Sequence, residues 1–136
     1  MAPLLTLSES ELTELVASFE NGTIDNCEFS HPAHIHVIWS LVRSRGTLGG
    51  VAQFERCLKR IMEAEGHPEK YHATITYALG ILVGERVAAD PHQNWDDFMA
   101  SNADVFEWPS GLLTELYPND ELESPESRAR FIPPSG

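Results

Sequence analysis

The sequence predicts an all-α fold: a four-helix bundle with two short C-terminal helices and an irregular, proline-containing tail. Apolar residues recur three or four apart over most of the chain, which is the period of an amphipathic helix. Capping residues and glycine or proline stops bracket those stripes. The connections between the second, third and fourth stripes are short, so those helices should be antiparallel neighbours. The chain has no internal repeat and no convincing pair of alternating strands.

Ser8 followed by Glu11 forms a capping-box pattern, and Leu12, Leu15, Val16 and Phe19 continue it as a first helix over about residues 9–20. Asn21-Gly22 ends that helix, and residues 23–29 carry no stripe and read as a loop. Ser30 can cap a second helix whose first turn tolerates Pro32 and which runs to about Arg45. Gly46 closes it. Thr47 can cap a third helix, with Val51, Phe54, Leu58 and Ile61 as its buried stripe and Gly66 as its stop. Pro68 starts a fourth helix through Tyr71, Ile75, Leu79, Leu82 and Val83, which Asp90-Pro91 breaks. Trp95, Phe98 and Met99 suggest a short fifth helix, and Leu112, Leu113 and Leu116 a sixth. Residues 1–7 are an N-terminal extension. Prolines 118, 125, 133 and 134 break up the tail over 118–136, while Leu122, Phe131 and Ile132 are apolar enough to dock it on the bundle.

The 136 residues fit one domain with one core. The formal charge is −12, from 21 acidic and 9 basic residues, so the chain should repel phosphate backbones and anionic headgroups. Nucleic acid and membrane are not expected partners. No apolar run approaches the length of a membrane span, and the N-terminus has no basic leader pattern, so a cytoplasmic protein is expected. Cys27 and Cys57 have no CxxC spacing, which excludes a cysteine-based zinc motif. No GxGxxG, Walker-type or GxSxG sequence points to nucleotide or an elbow serine. Oligomeric state is not written in the sequence.

Histidine carries the functional signal. His31 and His34 share a helix face with Ile38 and Leu41, and His72 lines up with Thr76, Leu79 and Val83 on the fourth helix. The second and fourth helices should run parallel, because one helix separates them, so all three imidazoles are expected at one end of the bundle. Glu20, at the end of the first helix, is expected at the same end as a carboxylate ligand or base. Neutral imidazole is the commonest protein ligand for transition metals, and two or three of them with one carboxylate suit zinc or iron, with copper also possible. His31, His34, His72 and Glu20 are therefore the expected ligands of one divalent ion, with His72 and Glu20 as catalytic groups and a small organic molecule as substrate. Tyr71, Thr76, Arg128 and Arg130 are candidate substrate contacts. His36 shares its face with Ser40 and Arg43 and is expected to face solvent; His67 and His92 are explained by capping.

Three segments travel together: Phe29-Ser-His31-Pro-Ala-His34, then Lys70-Tyr71-His72-Ala-Thr74-Ile-Thr76, then Tyr117, Ser124, Arg128 and Phe131-Ile-Pro-Pro134. They resemble a family of small, uncharacterised all-helical proteins with an F-x-H-x-x-H, Y-H-x-T-x-T pattern, over residues 10–134. The resemblance implies no activity. The chemistry of the residues leaves three expectations: a metal-dependent enzyme, a metal-free isomerase or cyclase using histidine as general acid or base, and a helical binding module without catalysis.

Overall fold

Helix α1 (Glu9–Asn21) begins at the capping box read from the sequence: Ser8 Oγ accepts the Glu11 N–H at 3.2 Å, and Glu11 Oε1 accepts the Ser8 N–H at 3.0 Å. Gly22 ends it in the left-handed region, at φ 74°. In the computed structural model of the chain, residues 8–24, 31–106, 116–117 and 121–133 are described, and all regular structure among them is helical, with no strand. The expected sixth helix, with Leu112 and Leu113, and the Ser30 cap lie outside the described residues.

Helix α2 (His31–Ala64) takes up the second and third expected helices and is divided at Gly46, whose φ of 82° and ψ of 168° fall in a region that only glycine occupies freely. The two arms, 31–45 and 47–64, fold back on each other. A Cβ on Gly50 would come within 2.7 Å of the Val42 backbone, eight residues away, a separation of about 12 Å in an unbroken helix. The missing side chain at position 50 is what lets the arms touch.

Helix α3 (Ala73–Ala89) packs along the second arm in the opposite direction. A side chain on Gly80 would collide with Val51, and one on Gly84 with Thr47. The α3 helix therefore runs parallel to the first arm, as the expected topology required. α1 closes the core through Phe19, fully buried and stacked on Phe54 with ring centroids 5.0 Å apart.

A 3-10 turn (Pro68–Lys70) stands where the fourth helix was expected to begin. Helix α4 (Trp95–Ser101) follows α3, capped by Asn94, and leads into a 3-10 segment (Ala103–Phe106). The bidentate pair between Arg86 and Asp104, at 2.8 and 2.9 Å, fixes that segment against α3. A further 3-10 turn (Glu121–Glu123) precedes α5 (Pro125–Ala129), a short helix in the tail capped by Ser124, which the prolines alone did not suggest. The tail docks on α3 by backbone chemistry. Thr74 Oγ1 donates to the Arg130 carbonyl at 2.9 Å and accepts the Ile132 N–H at 3.0 Å, while Tyr117 donates to the Ile132 carbonyl at 2.6 Å.

Candidate functional site: a histidine-lined cavity

The folded-back arms of α2 and the first half of α3 line a half-open cavity of about 310 Å³. Its polar lining is His31, His34, His72 and Thr76; its apolar lining includes Ile38, Phe54, Leu58, Met62, Ile75 and Leu79. The three imidazoles thus border one space. His31 and His34 stand one turn apart on the first arm, and the parallel course of α3 brings His72 to the same end.

His72 is held differently from the expectation. It is the N-cap of α3, in extended conformation at φ −130° and ψ 107°, and so precedes the helix whose stripe it was expected to join. Its Nδ1 accepts the Ile75 N–H at 3.1 Å, the role usually filled by serine or aspartate. A nitrogen that accepts carries no proton in a neutral imidazole, so the proton lies on Nε2, which donates to the Leu122 carbonyl at 2.6 Å. Both ring nitrogens are spent, one on starting α3 and the other on holding the tail.

His31 Nε2 lies 3.2 Å from the Val105 carbonyl, an acceptor, which puts its proton on Nε2 and makes Nδ1 the basic nitrogen. Burial pushes its pKa below the ordinary histidine value, and the Val105 carbonyl opposes that shift only in part. His34 is half-buried and meets Phe54 edge to face, with centroids 6.2 Å apart. Thr76 donates its hydroxyl proton to the His72 carbonyl at 2.8 Å, leaving oxygen lone pairs as its remaining polar character.

Of the other expected site residues, only Thr76 reaches the cavity. Glu20 does not line it: its carboxylate accepts from Gln53 at 3.2 Å and lies 3.9 Å from Arg45, while its carbonyl accepts from Arg60. The end of α1 thus sits beside the second arm. Tyr71 donates to Glu55 Oε2 at 3.1 Å, with Lys59 Nζ 4.9 Å from its ring centroid; burial, reinforced by the Glu55 charge, pushes its pKa upward. Arg128 donates to the Glu69 carbonyl at 3.0 Å, and Arg130 pairs with Glu126; both are exposed. They hold the tail and do not border the cavity.

The structure does not bring together the four expected ligands of a divalent metal. A ligating imidazole must offer a nitrogen lone pair, and His72 has already given its lone pair to the α3 cap. With Glu20 elsewhere, no three His, Cys, Asp or Glu side chains among the described residues are grouped so as to hold an ion.

His36 corrects a further expectation. It is buried, at 4 % exposure, between Trp39 and Trp95, because α4 folds over the face of α2 that Ser40 and Arg43 made look solvated. Trp39, three residues on, was the available signal of a buried face. No helix among the described residues is long and apolar enough to cross a membrane. Comparison with known proteins yields no family model, no curated protein and no solved structure that matches the chain.

Proposed function

We propose that this protein binds a small, largely apolar organic molecule in the histidine-lined cavity, through neutral imidazoles and without a metal ion. The observation that carries the reading is the cavity's makeup: an apolar pocket in which three imidazoles and one hydroxyl are the polar groups. Its volume is at the small end of ligand pockets, about 300–1,000 Å³, which suits a molecule of roughly benzene to bicyclic size. His34 and Thr76 supply polar contacts, the apolar side chains supply burial, and His72 keeps the mouth of the cavity in shape by joining α3 to the tail.

One observation favours a catalytic version of the same reading. The Val105 carbonyl orients the His31 ring and fixes its tautomer, which is how a general base is prepared, and a lowered pKa keeps it unprotonated near neutral pH. Proton abstraction from a bound molecule, as in an isomerase or cyclase, falls in this version to His31, whose ring the Val105 carbonyl orients.

The test is a fragment titration of chelator-treated protein, read from the imidazole C–H resonances. Small neutral aromatics should move the His31 and His34 signals, and Leu79→Trp, which fills the cavity, should abolish the response. A response that appears only on adding zinc or iron, or one that survives Leu79→Trp, overturns the reading.

A further inference from the structure

The start of α3 stands between the histidine-lined cavity and the tail. Ile75, Thr76 and Leu79 form part of the cavity wall, together with His72, the cap that precedes them. Thr74 lies in the same turn but does not border the cavity, because side chains two apart on a helix point to nearly opposite sides. It is fully buried, at 0 % exposure, and its hydroxyl serves the tail twice: Oγ1 donates to the Arg130 carbonyl and accepts the Ile132 N–H. His72 belongs to both sides. It borders the cavity while its Nε2–H donates to the Leu122 carbonyl, which also accepts from Ser127 Oγ at 3.1 Å. Arg128 adds a bond from the tail to the Glu69 carbonyl, in the 3-10 turn that leads into His72.

No described residue of the tail borders the cavity, so the tail can act on a ligand there only through α3. Undocking removes the acceptor of His72 Nε2–H and both partners of the Thr74 hydroxyl, and these buried groups must then take water at the start of α3. A ring that has lost its second anchor is free to turn about the one that remains, at the Ile75 N–H. Ordering that part of the wall then becomes a cost of binding. We propose, on the reading that the cavity is the binding site, that the tail over 121–133 is a strap that regulates it: docked, the tail preorganises the wall for a small aromatic guest, and released, it lowers the affinity. By linkage, a guest that favours the docked state holds the tail down through the same coupling. The tail is suited to release, since α5 is five residues long and buries only Ser127.

The experiment uses the full chain and toluene, with binding read from the His34 C–H resonances and docking from hydrogen exchange of the Ile132 amide, which Thr74 Oγ1 accepts. The Leu12 amide, bonded to the Ser8 carbonyl at the start of α1, reports any general tightening. Saturating toluene should slow exchange at Ile132 by about fivefold or more and leave Leu12 unchanged. Thr74→Val keeps the side-chain shape and removes both tail bonds, so Ile132 should exchange faster and toluene should bind more weakly, by up to the same factor. Tyr117→Phe, which removes the donor to the Ile132 carbonyl, should move both readouts in the same directions by less. The coupling is overturned, with the cavity reading left standing, if saturating toluene leaves Ile132 exchange unchanged or slows Leu12 equally. Undiminished toluene affinity in a variant whose Ile132 amide exchanges faster overturns it too. Toluene that moves no His34 signal in the wild-type chain overturns both.

Discussion

His72 and His36 are both buried, and the chain provides for them in opposite ways. His72 has an N–H donor for one ring nitrogen and a carbonyl acceptor for the other, so its ring works as a strut between the start of α3 and the tail. His36 keeps a nitrogen that nothing in the chain answers. A buried imidazole with both nitrogens satisfied works as architecture, and one with an unanswered nitrogen carries a desolvation cost that no hydrogen bond offsets. Burial alone does not separate the two; hydrogen-bond accounting does.

Removing the strut should be the most damaging change. In His72→Ala, α3 loses its cap and the Leu122 carbonyl loses its donor, so stability should fall by about 3 kcal/mol, measured by urea denaturation. His72→Asn restores the cap but does not reach Leu122, and should recover roughly 1 kcal/mol of that loss. Equal stability of wild type and His72→Ala would erase the distinction from His36.

Acid should act on His36. Its folded pKa of about 4 lies below the unfolded value of 6.5, so between those values the unfolded chain takes up a proton that the folded one refuses. Stability should be level in this respect above pH 6.5 and fall as pH drops toward 4, by about 3 kcal/mol in all. His36→Leu should remove that contribution to the acid slope while changing stability at pH 7 by less than about 1 kcal/mol, since no hydrogen bond of Nδ1 is lost. Denaturation midpoints across the pH range check both.

Gly46 shapes the histidine-lined cavity, because it turns the first arm of α2 back along the second. Gly46→Ala forces a side chain into a glycine-only conformation and should cost about 2 kcal/mol. Calorimetry should show the loss, and the ligand response at His34 should weaken with it. The smallest effect is expected at Asp104, whose carboxyl the Arg86 guanidinium holds below the usual range in a half-exposed pair. Asp104→Asn should cost under about 1 kcal/mol and show chiefly as a loosened His31, whose carbonyl partner Val105 is the next residue.

Helix positions were legible wherever a local rule sets them: the Ser8–Glu11 capping box, the break at Gly46 and the Trp95 stripe. The gathering of His31, His34 and His72 was legible too, because parallel or antiparallel order follows from counting helices. What escaped depended on contacts distant in sequence. The cap role of His72 needs its ring to turn back on its own helix start, and its second partner, Leu122, is fifty residues away. The burial of His36 needs α4 to fold across a face that looks polar on α2 alone. Glu20 was misplaced because only the contacts with Gln53, Arg45 and Arg60 reveal on which side α1 ends.

The most direct test of metal-free binding is a long-range nitrogen–proton spectrum of the imidazoles in chelator-treated protein at neutral pH, with and without added zinc. His72 should show a neutral ring protonated on Nε2 that one equivalent of zinc leaves unchanged, while a small neutral aromatic moves the His31 and His34 signals. Zinc shifting the nitrogens of residues 31, 34 and 72 together would contradict it.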